Sequence, residues 1–446
     1  MAVDSIMAKF EHIRDAEVCE RLERYAVDGV TPKVAIKPKS VEALSDILEV
    51  AFENDFKVIP FGAGTAIHIG NPPKGFDVAI DMTGLGKVVE FSPSDMVVTV
   101  EAGVRMQSLQ ALLNSHGLFL PVDPPQDDIA TVGGVVATNA FGTMRFGYGA
   151  VRDWLIGLSV MQPNGKLTRF GGKVVKNVAG YDMVRLYAGS YGTLGVITHA
   201  TFRLLPLPEH SAIATLLLKD TNCVEVMMRY IVLGELQPST VMVLECDMSE
   251  IPQLANILKS AHEQHEMFLL FIGFDDFREA VNYQIDLLKT ASVEHGATLA
   301  NIADGEEAKG IRSILRPLQQ APNAKMHVRL TFNPTHFIRI REDVKNAFNR
   351  FGITKTKLIS HPLDGILYAS VVECPDDVAV KLAWHLVGVA ESFCGNIFIE
   401  RIPSHIKQLV PVWGRSVKTH SLMKRIKEEL DERSIMSCGR FIDGIR

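Results

Sequence analysis

The residues whose type and spacing best suit chemistry lie between Pro60 and Gly70, in the run PFGAGTAIHIG. Gly62 and Gly64 follow the apolar segment 56–59, which reads as a short buried strand. Two glycines at such a junction let the backbone turn tightly and aim several N–H groups at one point. That suits an oxygen-rich anion such as a pyrophosphate. A plain turn uses the same residues, so the loop alone leaves both readings open.

Two further glycine-rich stretches bear on the choice. Gly133, Gly134, Gly142, Gly147 and Gly149 fall within 127–149, interleaved with Ala130, Thr131, Ala137, Thr138 and Ala140. An ordered glycine loses much backbone entropy, and little side-chain bulk remains here. The pattern points to close approach of backbone to another group, with a set of surface turns as the alternative. Gly189, Gly192 and Gly195 then lead directly into the apolar Val196 and Ile197.

The elements that must position these loops follow from periodicity. Residues 41–54 repeat apolar positions at helical spacing behind Ser40, a suitable N-cap. Short strands are expected at 76–82, 88–91 and 96–101, a helix at 104–116, and a hairpin from 155–162 to 167–170 across Pro163-Asn164-Gly165. After the break Pro206-Leu207-Pro208 the texture changes. Strands at 212–218, 241–246, 268–274 and 298–302 alternate with helices at 223–233 and 278–294. Strands at 326–332, 354–360, 366–372 and 396–400 alternate with helices at 338–351 and 378–393. Each set reads β-α-β-β-α-β, the ferredoxin-like pattern, and two such sheets could align into one larger antiparallel surface. A charged helix at 422–432 precedes the short segment Ser437-Cys438-Gly439-Arg440-Phe441.

Length and charge set bounds on this plan. A chain of 446 residues with net charge −6 and 22 % charged residues has room for two or three domains and gives no electrostatic reason to expect nucleic acid. Six scattered cysteines, none in a CxxC pair, argue against an iron–sulfur or structural zinc site in this chain and fit a reducing compartment. No apolar run approaches a bilayer-spanning length, and the N-terminus lacks an apolar signal core. A cytoplasmic location is expected, with any contact to the cytoplasmic face of a membrane made through partners.

The glycine segments, taken in order with Glu101-Ala-Gly, Pro124-Pro125, Gly149-Ala-Val-Arg-Asp, Phe170-Gly-Gly and Lys176-Asn-Val-Ala-Gly-Tyr-Asp, resemble the vanillyl-alcohol oxidase (PCMH-type) FAD-binding flavoproteins. Within that group the chain looks closest to the smaller FAD subunit of bacterial glycolate oxidase. The resemblance runs from about residue 33 to residue 208. It implies an α+β fold: a two-lobed FAD-binding domain over 1–208, with lobes at about 30–100 and 101–208. A cap domain of two ferredoxin-like units would cover 209–403, and a C-terminal helical segment, 404–446, would return to the FAD domain.

The resemblance also implies site residues. Phe61, Gly62, Ala63, Gly64 and Thr65 would meet the pyrophosphate, chiefly through backbone N–H groups. Pro124, Thr131, Gly133, Gly134, Thr138, Asn139 and Gly142 would line the flavin or diphosphate side, and Gly195, Val196 and Ile197 the ribose and adenine end. Lys176 either places positive charge near the flavin ring or pairs with Asp182. Arg440 either reaches the cofactor or belongs to a frayed basic tail. Thr65 stands where covalent relatives carry histidine, so non-covalent FAD is expected. The glycine loop is not a dinucleotide fingerprint of the Rossmann type, because no helix is expected directly after Gly64.

A flavin performs the redox chemistry, so the chain must supply orientation, charge and a base. Oxidation of a small 2-hydroxy acid asks for a cation at the carboxylate and a base at the hydroxyl. Arg329, His361 and Arg401 are the expected catalytic set, with His327 sharing the face of Arg329. No metal site is expected, His262 and His265 reading as surface residues. The function expected is an FAD-binding subunit of a glycolate- or D-lactate-type dehydrogenase. It would work beside a larger flavoprotein subunit and pass electrons to an iron–sulfur subunit. A self-contained FAD-dependent oxidoreductase and a non-catalytic flavin-binding assembly subunit are the alternatives.

Overall fold

The computed structural model describes residues 6–172, 181–245, 251–257, 268–415 and 419–445. It divides into two compact units. The first comprises 1–140, 150–207 and 415–446, and the second 141–149 and 208–414. Residues 141–149, which the sequence reading leaves in the FAD-binding domain, thus group with the second unit, and so does the stretch 404–414.

The first unit opens with β1 (Ala16–Val18), β2 (Val34–Pro38), β3 (Val58–Phe61) and β4 (Val78–Asp81), which form a sheet in the order β1-β2-β4-β3. β2, β4 and β3 are parallel, and β1 closes one edge antiparallel. The crossover between β2 and β3 is the helix Val41–Glu53, capped as expected by Ser40, whose Oγ accepts the Ala43 N–H at 3.1 Å. The cap satisfies one otherwise orphaned amide, and Leu44, Ile47 and Leu48 bury the apolar stripe.

Beyond it come β5 (Val88–Ser92), β6 (Val97–Glu101), β7 (Leu118–Phe119), β8 (Leu155–Met161), β9 (Leu167–Gly171), β10 (Val196–Arg203) and β11 (Leu205–Pro206). Five of these make an antiparallel sheet in the order β5-β6-β10-β8-β9, and β7 pairs with β11. The glycine-dense stretch after Thr131 is a short helix, Val132–Thr138, started by Thr131, whose Oγ1 accepts the Gly134 N–H at 3.3 Å. Glycine density hides the helix from a reading based on propensity.

The second unit holds β12 (His210–Leu218), β13 (Thr240–Glu245), β14 (Phe268–Asp276), β15 (Thr298–Asp304), β16 (Met326–Thr331), β17 (Thr356–His361), β18 (Ile366–Val371) and β19 (Asn396–Arg401). They build one eight-stranded sheet in the order β15-β12-β14-β13-β17-β18-β16-β19. Each half has the ferredoxin-like order, and the halves join antiparallel where β13 meets β17, Leu244 opposite Ile359. The expected pair of β-α-β-β-α-β units therefore forms one continuous surface. The helix Gly305–Leu318, which follows β15 and buries Ala308, Ile311 and Leu315, is not among the expected elements.

Among the described residues no helix is long and apolar enough to cross a membrane.

Candidate functional site

In the first unit, β3 ends at Phe61 and delivers the chain into the glycine loop. Phe61 itself turns its ring into the core with Val27, Ala35, Ile59 and Phe76, edge-on to Tyr25 at 5.4 Å. Its side chain is therefore a core group. Gly62 is fixed by close approach: a Cβ there would lie 2.1 Å from Thr131 Oγ1. The loop thus packs directly on the residue that starts the Val132–Thr138 helix. The turn is closed by Ile67 N–H on Gly64 O and Ile69 N–H on Ala66 O, at 3.3 and 3.1 Å. Among the described residues the N–H groups of Gly62, Ala63, Gly64 and Thr65 have no intramolecular acceptor. Exposed or ligand-facing amides are what an anion cradle requires.

The remaining cofactor candidates divide. Gly134 N–H is held by Thr131, Gly133 N–H donates to Ala102 O at 2.7 Å, and the Thr138 hydroxyl donates back to Gly134 O at 2.8 Å. Gly133 and Thr138 spend these donors inside the fold. Asn139 ends the helix in the left-handed conformation (φ 48°), with Gly189 N–H and Tyr191 N–H donating to Val136 and Ala137 carbonyls beside it. Pro124 is buried. Val196 and Ile197 are buried in β10 opposite Met161 and Val160, and Gly195 packs against Val160. Lys176 lies outside the described residues, as do His262 and His265. Asp182 caps the helix Met183–Tyr187 and sits 3.3 Å from Arg185, while Tyr181 is exposed.

The C-terminal segment does return to this unit. Arg440 is buried, and its Nη2 donates to Ile67 O and Ile69 O, both at 2.6 Å. Asn71 N–H and Nδ2 donate in turn to the carbonyls of Arg440 and Phe441. Burial pulls the Arg440 guanidinium down to about 10, with Asp28 opposing. Ser437 N–H donates to Val58 O, and Val58 N–H to Ile435 O, each at 2.8 Å. Lys427 secures the base of the segment. It is buried, ion-paired with Asp431, and donates to Thr193 O and Met436 O. A frayed tail is thereby excluded; the arginine clamps the far side of the glycine loop.

In the second unit the alternation of β16, β17 and β18 sets His327, Arg329, His361, Tyr368 and Ser370 on one face. Segment 141–149 is fastened to this unit. Gly147 N–H donates to Ser239 O at 3.0 Å, and a Cβ on Gly147 would lie 2.6 Å from Ser239 Cα. Arg312, paired with Asp275 at 2.6 Å, donates to Met144 Sδ. Gly142, expected at the cofactor, belongs to this segment.

The anchoring brings Arg145 against the turn Pro362–Asp364. Its Nε is 3.5 Å from Asp364 Oδ1, and its guanidinium lies 4.2 Å from the centre of the Phe141 ring. His361 is fully buried, edge-on to Phe141 at 6.0 Å and to Tyr368 at 6.4 Å, with Nδ1 3.9 Å from Asp364 Oδ2. Neither ring nitrogen of His361, nor Asp364 Oδ2, nor Arg145 Nε has a hydrogen-bond partner among the described residues. Burial, with Arg145 adding to it, pushes the imidazole down to about 3, so it is neutral near pH 7. Burial pushes the Asp364 carboxyl up to about 6 against the opposing pull of Arg145.

Of the expected set, Arg329 and His361 share one sheet face, Arg329 lying 6.0 Å from the centre of the same Phe141 ring that His361 meets edge-on. Arg329 donates to Glu400 at 2.7 Å and stacks 4.6 Å from the Phe398 ring. Arg401 lies in register with His327, its Nε buried without a hydrogen-bond partner among the described residues and its guanidinium lowered by burial. His327 is satisfied on both sides. Its Nε2 meets Gln319 O at 2.8 Å and its Nδ1 meets Ser370 Oγ at 2.9 Å, so it is a neutral core histidine stacked on Tyr368. His361 keeps its place among the candidates, together with Arg145 and Asp364. The spacing His361-Pro-Leu-Asp364 was a usable signal for one of them; Arg145 had none beyond its glycine-rich surroundings. Among the described residues no group of three or more His, Cys, Asp or Glu could hold a metal ion.

With this geometry in view, residues 32–171 match the family model described as FAD binding domain. The chain carries an FAD-binding domain. The amides at Gly62–Thr65, without an acceptor among the described residues and with Gly62 too close to Thr131 for a Cβ, suit the diphosphate of that cofactor. The chain is 29 % identical over 428 residues to the mitochondrial D-lactate dehydrogenase (cytochrome) of Arabidopsis thaliana, covering 92 % of this chain and 73 % of the plant protein. It is 35 % identical over 198 residues to glycolate oxidase subunit GlcE of Escherichia coli, covering 44 % of this chain and 55 % of that subunit. Several other curated relatives are matched over less than half of their own length. Among solved structures, p-cresol methylhydroxylase with substrate bound superposes with a TM-score of 0.77 at 16 % identity, over 99 % of this chain and 96 % of that one. The PCMH-type FAD-binding fold expected from the sequence is thus present, and its relatives are oxidoreductases, as expected of an FAD-dependent enzyme.

Proposed function

We propose that this chain is the FAD-binding subunit of a 2-hydroxy-acid dehydrogenase of the glycolate or D-lactate type. The observation that carries the reading is the glycine loop, with four backbone amides open beside Thr131 and its far side clamped by Arg440. Residues 1–140, 150–207 and 415–446 take the FAD-binding role, and 141–149 with 208–414 the substrate role. Gly62, Ala63, Gly64 and Thr65 would hold the diphosphate through N–H groups. That arrangement meets two charges with neutral donors already organised by the fold. Arg440 keeps Ile67 and Ile69 in place behind them. Thr65 offers no nucleophile for a histidyl-type flavin link, so the FAD is held without a covalent bond. When bound, the flavin supplies a two-electron acceptor for the oxidation of an alcohol carbon.

The names of two relatives, glycolate oxidase subunits GlcD and GlcE, support a chain that works within a complex. The partners we propose for it are a larger flavoprotein and an iron–sulfur subunit that takes the electrons, on the cytoplasmic side of a membrane. The exposed Leu233, Phe277 and Val293 of the second unit are consistent with such partners. A second reading, a self-contained oxidoreductase, is favoured by the buried unpartnered polar groups around His361.

Anaerobic mixing of the FAD-loaded chain with glycolate, D-lactate and L-lactate separates the two. Bleaching of the flavin by one acid supports independent catalysis. Silence with all three, together with bleaching only when the partner subunits are added, supports the subunit reading. Failure to retain any flavin would refute both. Acid denaturation should leave the yellow colour in solution.

A further inference from the structure

The buried groups around His361 ask for an occupant that the chain does not provide. Four polar atoms, Arg145 Nε, Asp364 Oδ2 and both ring nitrogens of His361, converge within one part of the second unit and lack partners among the described residues. Buried polar groups are normally satisfied, because each one left bare forfeits its hydration. The set is also chemically ordered. Arg145 offers a cation on one side, and the neutral imidazole offers one donor and one acceptor on the other. Asp364 lies between them, 3.5 Å from Arg145 and 3.9 Å from His361. Phe141, in contact with both Arg145 and His361, supplies an apolar wall.

We propose that Arg145, Asp364 and His361 form a binding site for a small 2-hydroxy carboxylate, with Arg145 on the carboxylate and His361 on the neighbouring hydroxyl. The proposal rests on the function proposed above for the substrate class, and names the residues that recognise it. Arg145 is preferred to Arg329 as the carboxylate anchor because Arg329 pairs with Glu400 at 2.7 Å, a closer pair than Arg145 makes with Asp364 at 3.5 Å. Asp364 would compete with the incoming anion for Arg145. Its ionisation near neutral pH thus opposes binding, and ligand affinity should rise as it takes up a proton. Among the described residues the charged and titratable groups facing it are Arg145 and the neutral His361.

The test uses the FAD-loaded full chain and 2-hydroxyisobutyrate, which has the carboxylate and hydroxyl but no hydrogen on the hydroxyl carbon. It can bind and cannot be oxidised. Isobutyrate, lacking only the hydroxyl, is the reference. By calorimetry the wild type should prefer the hydroxy acid by about tenfold, the worth of a buried hydrogen bond that only one ligand completes. His361→Phe, which keeps the ring contacts, should erase that preference. Arg145→Met should weaken both ligands about equally, and Arg145→Lys should restore part of the affinity. Affinity should rise from pH 8 to pH 6 in the wild type and stay level in Asp364→Asn. Thermal unfolding guards against misfolding, and His361→Asn serves as a second variant should the phenylalanine disturb packing. No binding by wild type, equal binding of the two acids, or variants indistinguishable from wild type would each overturn the proposal. The flavin absorbance of the same samples reports cofactor binding separately, so a chain that holds FAD but ignores both acids refutes only this site.

Discussion

Replacing Gly62 by alanine tests the packing that shapes the cofactor loop. Gly62 is not in the left-handed region, so alanine meets no backbone penalty there and the whole effect is contact. Its Cβ would sit 2.1 Å from Thr131 Oγ1 and 3.3 Å from Thr131 Cβ. Thr131 can yield only by rotating its hydroxyl away, which breaks the cap on Gly134 N–H and costs about 1 kcal/mol. The residual crowding adds about 1–2 kcal/mol in a packed site. Gly62→Ala should therefore lower stability by about 2–3 kcal/mol. Thr131→Ala alone should cost about 1 kcal/mol, from the lost cap. The two share the same oxygen, so the double variant should cost no more than about 2 kcal/mol, a coupling of about 1–2 kcal/mol. Thermal and urea unfolding of the four proteins closes the cycle. Fluorescence titration with FAD should show Gly62→Ala weakened by about tenfold or more, since the displaced amides no longer point to one spot. Additive stabilities, or an unchanged FAD affinity in Gly62→Ala, would refute the packing argument.

Three other outcomes follow from the same geometry. Arg440→Met leaves the carbonyls of Ile67 and Ile69 without their donor, and FAD affinity should fall by about 10- to 100-fold while the second unit's unfolding is unchanged. Arg329→Ala strands a buried Glu400 and should cost about 3–5 kcal/mol, with kcat/KM of the folded protein unaltered; a loss of turnover at intact Tm would return Arg329 to the substrate. The acid side of the stability profile carries two opposed contributions. His361, at about 3 in the fold and about 6.5 unfolded, makes stability fall as pH drops through that window. Asp364, raised from 3.8 to about 6, makes stability rise as pH drops from about 6 to 3.8. Relative to wild type, Asp364→Asn should lose more stability between pH 6.5 and 4, and His361→Phe should lose less; slopes in the same direction for both variants would contradict the burial of this pair.

The sequence carried the cofactor and the architecture because both rest on local rules. A glycine turn after a buried strand, a capped amphipathic helix and the alternation of strand residues are each set within a few positions. Taken in order they were enough for an FAD-binding unit and two ferredoxin-like units. Phe61 shows the limit even there, since a strand residue beside the loop can face the core as readily as the ligand. The helix Gly305–Leu318 was legible in principle from Ala308, Ile311 and Leu315 at helical spacing, although Pro317 near its end weakens the pattern.

What remained illegible depends on contacts between distant parts of the chain. Arg145 and His361 are more than two hundred positions apart, and only the anchoring of Gly147 on Ser239 and of Met144 on Arg312 brings that arginine to the Pro362–Asp364 turn. The joining of β13 to β17, which fuses two repeats into one sheet, is likewise a choice of edge that neither repeat encodes alone. Arg440 could be read as a loose end until its carbonyl partners were known. The sequence by itself thus determined that an FAD-binding domain is present, and it suggested the loop proposed to meet the flavin. Tertiary structure decided which polar side chains are left buried without partners, because burial and satisfaction are properties of the packed surroundings and have no local signature.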